Sequence, residues 1–224
     1  MIAFLMIIGT IVLFYVMTFV YKRFTYPLLI PIFSTTVLLV IILVLSKIPY
    51  DTYMSGGQWI NELLGPAVVS MAYPLYMHRE KIFKYKVPII LSVLTALFSG
   101  LISTTIFSKL MSFDDHILLS LLPKSITSPV SIPISEAIGG IPTFTAVFVI
   151  FAGLVGAIFG PVIFRIFRID KAISRGLSVG SASHGIGVSK LAEYGEETLT
   201  MGSVSMTLSA IFGSFVCPLF ALLI

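Results

Sequence analysis

Apolar residues run almost unbroken over 2–21, 27–46, 60–77, 87–108, 143–164 and 199–224. Each run is near the twenty residues that a helix rising about 1.5 Å per residue needs to cross a hydrocarbon layer about 30 Å thick. No alternation with period two appears, so these runs predict helices rather than barrel strands. Two intervening segments, 117–138 and 172–192, break the pattern with prolines, glycines, hydroxyls and ionisable side chains. The pattern predicts an all-α, polytopic integral membrane helical bundle of about six full spans plus two interrupted or re-entrant segments, transporter-like in plan. Residues 1–58 are expected to form an N-terminal pair of transmembrane helices serving as scaffold and oligomerisation element. Residues 59–224 are expected to form the transport-like core.

The first interruption, Pro123 to Glu136, holds three prolines, five hydroxyls, a lysine and a glutamate. In lipid, backbone that cannot stay helical persists only where protein buries it or a water-filled cavity borders it, and intramembrane charges mark a pathway or site. The second interruption contains Gly176, Gly180, Ser183, His184, Gly185 and Gly187. Gly176 and Gly180 have the small-xxx-small spacing that lets membrane helices approach closely, while Gly185 and Gly187 around an isoleucine allow unwinding. Paired interrupted segments point to a transporter's binding site. Residues 59–78, with Pro66 and Pro74, form a milder third interruption.

Charge location sets the expected topology. The net charge of +4 looks like a nucleic-acid signal until the basic residues are located in short loops: Lys22 and Arg23; Arg79, Lys81, Lys84 and Lys86; Arg165, Arg168, Lys171 and Arg175. Placing these loops in the cytoplasm puts the N-terminus outside a multi-pass protein of the cell membrane, with Asp114 and Asp115 external, and no nucleic-acid partner is expected. If 117–138 crossed fully, the loop after 143–164 would strand four basic residues on the wrong side. A re-entrant hairpin entering and leaving from outside removes the conflict. With its turn near Pro129 to Ser131, Lys124 and Glu136 are expected at similar depth, either paired or both facing a solute. Residues 1–21 lack a basic leader and a small-residue cleavage site, so they are expected to be a retained span.

The candidate solute site is Lys124, Thr127, Ser128, Ser131, Ser135 and Glu136, joined by Ser183, His184, Gly185, Gly187 and Lys190 from the second interruption. Hydroxyls and an ammonium form a cradle for an anionic solute. In the competing reading the hydroxyls satisfy backbone groups freed by proline, and Lys124 pairs with Glu136. Keeping two ionisable residues there costs about 2.5–3.5 kcal/mol each on insertion scales, which favours the cradle. Histidine titrates near neutrality, so His184 is a candidate to bind a carboxylate or carry a coupling proton, or else packs between helices. Lys190 can equally belong to a solvated helix end.

No enzymatic activity is expected. Ser181-Ala182-Ser183-His184-Gly185 resembles a nucleophile elbow, but that device needs a strand, turn and helix in an α/β sheet. Gly185-Ile186-Gly187 lacks the third glycine of a dinucleotide loop. The single cysteine, Cys217, excludes an intrachain disulfide or a thiol metal cluster, and no cofactor is expected.

Three blocks together resemble the LrgB/CidB family of bacterial membrane proteins: Leu64-Gly65-Pro66-Ala67-Val68 leading to Pro74-Leu75-Tyr76, Pro123-Lys124-Ser125 through Glu136 to Ile150, and Gly180 to Gly187. The likeness covers most of the chain from about residue 60 onward. It departs from the family pattern at Ser128, in place of the second of two adjacent threonines, and at Val188, in place of a threonine. The resemblance implies two activities. One is a holin- or antiholin-like role in murein hydrolase export and autolysis beside a small LrgA/CidA-type partner. The other, from plastid relatives exchanging glycolate and glycerate and members linked to pyruvate uptake, is carriage of small 2-oxo or 2-hydroxy monocarboxylates. The residues favour a carrier of a small organic acid such as pyruvate, glycolate or lactate, coupled to a proton or sodium ion. A homodimer or higher homo-oligomer is expected from the glycine-rich faces and the family habit.

Overall fold

The computed structural model describes residues 2–24, 26, 29–70 and 72–224. Pro27 and Leu28, the start of the expected span 27–46, and Met71, inside the expected span 60–77, lie outside the described residues. The described elements are all helical: α1 (Ile2–Phe24), α2 (Pro31–Leu45), α3 (Tyr50–Glu62), α4 (Leu64–Ser70), α5 (Ala72–Met77), α6 (Arg79–Lys84), α7 (Lys86–Leu110), α8 (Asp115–Leu121), α9 (Ser128–Ala137), α10 (Pro142–Ile166), α11 (Ala172–Lys190) and α12 (Glu196–Ala221). Helices α1, α7, α10 and α12 are long and apolar enough to cross a membrane, so the chain is a multi-pass membrane protein.

The expected six spans are not six uniform helices. Helix α2 is a shorter apolar helix of 15 residues. The expected span 60–77 is divided among the end of α3 and the short helices α4 and α5. Pro66 and Pro74 lack the N–H that an uninterrupted ladder requires.

The chain forms two compact units, Met1–Ala67 and Val68–Ile224. In the first, α3 packs on α1 where Gly56 lies so close that a β-carbon there would sit 2.3 Å from the Ala3 carbonyl oxygen. The hydroxyls of Thr10 and Tyr53 meet at 3.2 Å beside this contact.

In the second unit, the N-terminal half of α7 contributes Ile89 and Val93 to a core with Leu177, Met201 and Val204. From its middle onward, Leu97 and Leu101 join a second core with Leu118, Leu122 and Ile126. Helix α10 has the opposite sense: Thr145 near its start meets Ser120, and Phe164 near its end packs with Val179 and Val188. Helices α7 and α10 are therefore antiparallel. Their outward faces carry Phe107, Phe151 and Phe159, more than half exposed, as lipid-facing surfaces do.

A repeat that hydropathy conceals emerges from the backbone. Lys86–Leu110 and Pro142–Ile166 are helices of 25 residues, the second lying 56 positions after the first. The turn after each helix contains the same three bonds: Phe113 N–H to the Ser108 carbonyl and Ile169 N–H to the Phe164 carbonyl, for example, again 56 positions apart. Left-handed residues recur at that interval too, Ser112 with Arg168 and Gly139 with Gly195. Each copy comprises one crossing helix followed by one interrupted segment, and the crossings run in opposite directions. This is an inverted-topology repeat.

In a Cys217→Ala background, single cysteines at Asp115 and Ile141 should be labelled by a membrane-impermeant thiol reagent from the same face, because both ends of the intervening segment lie together. Labelling of one only from the opposite face would contradict the hairpin.

Candidate functional site

The first interrupted segment is a hairpin built from α8, a 3-10 turn over Leu122–Ser125, two extended residues and α9. Asp114 caps α8 by accepting the His116 N–H at 2.9 Å. The hairpin's two ends are tied together: His116 donates from Nδ1 to the Gly139 carbonyl at 2.8 Å, and Ser120 Oγ accepts the Ile141 N–H at 2.6 Å. Deeper in, Thr145 Oγ1 lies 2.6 Å from Ser135 Oγ and 3.0 Å from the Ser120 carbonyl oxygen. The chain reverses where Ile126 and Thr127 take extended ψ values of 151° and 140°. Each arm is about 15–20 Å long, roughly half a hydrocarbon core.

The second interrupted segment also reverses. His184 has φ 40° and ψ −145°, which ends one helical stretch and starts another. The return arm packs back on the first, for a β-carbon at Gly187 would meet Ser183 Cβ at 2.5 Å and Val179 Cγ1 at 2.9 Å. At the base, Tyr194 stacks edge-on against Phe164 with centroids 5.5 Å apart, and the Arg175 guanidinium lies 5.2 Å from the Tyr194 ring. Both ends of this hairpin thus lie at the C-terminal end of α10, opposite the mouth of the first hairpin. Lys81 lies 3.7 Å from Glu197 at that same end, so the basic residues of 79–86 and 165–175 share one end of the unit.

The two tips meet inside the bundle around α10 and α12. His184 donates from Nε2 to the Val149 carbonyl at 2.8 Å, and its Cε1 would sit 2.8 Å from a β-carbon at Gly153. Ile126, at the tip of the first hairpin, covers Gly213 of α12. Lys124 donates from Nζ to Thr104 Oγ1 on α7, which uses one of its three donors. Thr127 and Ser128, partly buried at the tip, begin α9, and the Thr127 hydroxyl makes no capping bond.

The structure does not bring all eleven candidates together. Lys124, Thr127 and Ser128 stand at one tip; His184 and Gly185 stand at the other. Ser131 bonds to the Ser128 carbonyl at 3.3 Å, and Ser135 lies within the buried lock beside Thr145. Ser183 is buried on Gly156 and Gly187. Lys190 pairs with Glu193 near the base of the second hairpin. Glu136 is exposed near the mouth of the first. The expected depth match between Lys124 and Glu136 is therefore corrected: the turn falls at Ile126–Thr127, ahead of Pro129, which places Lys124 at the tip and Glu136 far along the return arm. Sequence reasoning missed Thr104, Ser120 and Thr145. The adjacent Thr104-Thr105 pair inside the apolar run 87–108 was the available signal for the first.

A groove of about 900 Å³ runs from the basic end along α7 and α11. Ser92, Thr95 and Ser99 line one wall and Ser174 and Ser178 the other, with Lys171 at the mouth.

The family model described as "LrgB-like family" matches residues 10–223. The chain belongs to this family. Among LrgB-like relatives, "Uncharacterized protein YxaC" of Bacillus subtilis (strain 168) is 49% identical over 218 residues, covering 97% of this chain and 95% of its own. "Holin-like protein CidB" of Staphylococcus epidermidis (strain ATCC 12228 / FDA PCI 1200) is 38% identical over 221 residues, covering 99% and 96%. "Holin-like protein CidB" of Staphylococcus aureus (strain N315) is 36% identical over 221 residues with the same coverage. No solved structure matches this LrgB-like chain.

Proposed function

We propose that this LrgB-like protein is a membrane carrier for small monocarboxylates, 2-oxo or 2-hydroxy acids such as pyruvate, glycolate and lactate. The supporting observation is the pair of re-entrant hairpins from opposite ends of the bundle whose tips meet beside Lys124. Interrupted segments converging from opposite sides present backbone groups and half-helix ends to a solute that an unbroken helix would hide. The groove, lined in part by serines and with Arg168 and Lys171 outnumbering Asp170 at its mouth, supplies an approach for an anion from the basic end. With that end cytoplasmic, the protein sits in the cell membrane with its N-terminus outside. A proton or sodium ion couples the movement, and the protein works as a homo-oligomer.

His184 acts in this mechanism by holding a tip in place. Its left-handed backbone costs of order 1–3 kcal/mol, offset by the bond to Val149 and the ring's packing against Gly153. His184→Ala should lower stability by about 2 kcal/mol and reduce uptake, whereas His184→Asn, which tolerates left-handed φ and keeps an N–H, should retain more of both. Equal loss in the two variants would assign the imidazole a direct role with the solute or its proton.

A second reading is favoured by the relatives' printed name, "Holin-like protein CidB". In it the protein modulates murein hydrolase export and autolysis with a small LrgA/CidA-type membrane partner. Purified protein in liposomes separates the two. A carrier takes up labelled pyruvate, glycolate or lactate while retaining an entrapped dye; a holin-like pore releases the dye and accumulates nothing.

A further inference from the structure

At the basic end of the second unit, a pocket of about 340 Å³ opens between the last turns of α10 and the base of the second hairpin. Arg165 and Arg168 line it from the end of α10 and the turn that follows, Arg175 lines it from the first arm of the hairpin, and Phe164 and Tyr194 supply aromatic walls. Three arginines face one carboxylate, that of Asp170, an excess of two positive charges among the described lining residues. None of these side chains belongs to the hairpin tips.

Arg175 is fixed in place before any ligand arrives. Its Nε donates to the Ile169 carbonyl at 2.6 Å, and its guanidinium lies 5.5 Å from the Phe164 ring and 5.2 Å from the Tyr194 ring. Its carboxylate contact is marginal: Asp170 Oδ1 is 3.5 Å from Nη2, and the Asp170 side chain is 85% exposed, where solvent leaves an ion pair little net worth. Nη1 donates to no group among the described residues, and Arg165 and Arg168 form no ion pair among them. Of the neighbouring acids, Glu193 pairs with Lys190 and Glu197 with Lys81, while Glu196 is exposed and does not line the pocket.

Topology alone does not account for this cluster. Orientation in a membrane asks only for positive charge in the loop, which lysine supplies as well. The other copy of the repeat builds the same turn from different residues: 56 positions earlier, Lys109, Ser112, Leu119 and Ile138 stand where this end has Arg165, Arg168, Arg175 and Tyr194. Arg168, at φ 51°, occupies a left-handed position that glycine and asparagine fill more readily. The frame therefore does not require the arginines. Guanidinium forks match the paired oxygens of a phosphate, and an excess of two charges suits a phosphomonoester dianion. Ile166 and Phe167, exposed between Arg165 and Arg168, add apolar surface of the kind that meets acyl chains beside a basic headgroup pocket.

We infer that this pocket is a phosphate-binding site whose occupant bridges the end of α10 to Arg175 and so clamps the base of the second hairpin. The ligand's defining group is a phosphomonoester, offered either by a lipid headgroup or by a small water-soluble ester. The site goes beyond the carrier reading and does not depend on it, because occupancy is read on the resting protein without any uptake.

Melting of the full chain in detergent micelles is the test. Dioctanoyl phosphatidic acid at about 100 times its Kd should raise Tm by about 5–10 °C, whereas dioctanoyl phosphatidylcholine, with the same chains and its phosphate masked by choline, should not. Glycerol 3-phosphate supplies the headgroup without chains: a shift with it as well assigns a soluble ester, and a shift with phosphatidic acid alone assigns a lipid. Arg165→Gln, at an exposed position that lines this pocket and not the groove along α7 and α11, should weaken binding about tenfold or more, which at the same concentration about halves the shift. Lys86→Gln, which removes a charge from the same end outside the pocket, should keep the full shift. No shift with either phosphomonoester, an equal shift with phosphatidylcholine, or equal losses in Arg165→Gln and Lys86→Gln would overturn the site.

Discussion

Replacing Gly180 by alanine should cost about 3 kcal/mol or more and remove most folded protein from detergent extracts, at the upper end of what overpacking costs a tight interior. The reason is backbone against backbone. A β-carbon at Gly180 would lie 2.2 Å from the Gly202 carbonyl oxygen and 2.4 Å from Ser205 Oγ, and Gly176 is as tightly set, 2.6 Å from the Thr198 carbonyl oxygen. The Gly202 and Thr198 carbonyls are backbone and cannot rotate away, so α11 and α12 must separate, and with them goes the contact that positions the second hairpin. Gly100 supplies the control, because nothing lies within 4 Å of a β-carbon there. Gly100→Ala should leave stability unchanged or raise it by up to about 1 kcal/mol through helix propensity. Thermal unfolding followed by size-exclusion chromatography reads both variants, and equal melting temperatures would show that the small-residue contact is not what joins these helices.

Lys124→Ala should reduce pyruvate, glycolate or lactate uptake about 10–100-fold, the loss of one charge-assisted bond to an anion. Stability should not follow. Holding a lysine within the membrane costs about 2.5–3.5 kcal/mol on insertion scales, and among the described residues its hydrogen bond goes to the neutral Thr104 hydroxyl, so deleting the ammonium relieves a penalty and removes a modest bond. The expected result is a protein that melts at the wild-type temperature or higher and transports poorly. A purely structural lysine predicts the reverse, a less stable protein with normal KM. Lys124→Arg should recover part of the uptake, since charge is kept while the planar guanidinium cannot reproduce the ammonium's contact with Thr104.

The helical class, the membrane setting and both interruptions were legible because they depend on local composition. Prolines and glycines break helices wherever they stand, and long apolar runs need no tertiary information. The close approach at Gly176 and Gly180 was legible for the same reason. The turn of the first hairpin is less legible, because a proline is as much at home in the first turn of a helix as in a reversal. Pro129 instead occupies the first turn of α9, where its missing N–H is harmless, and the reversal falls just before it at Ile126–Thr127. Glu136 consequently stands exposed along the return arm rather than level with Lys124. The repeat escaped as well, because its two copies share backbone geometry and few side chains.

That geometric recurrence has a consequence for how such a chain could arise and insert. A segment comprising one crossing and one loop that returns to its own side starts on one face of the bilayer and finishes on the other. A tandem copy placed directly behind it is therefore threaded with reversed polarity, without any change in its own charge bias. Doubling a short ancestral stretch is enough to generate two opposed hairpins, and an insertion that added a further crossing between Leu110 and Pro142 would leave both hairpins entering from the same side.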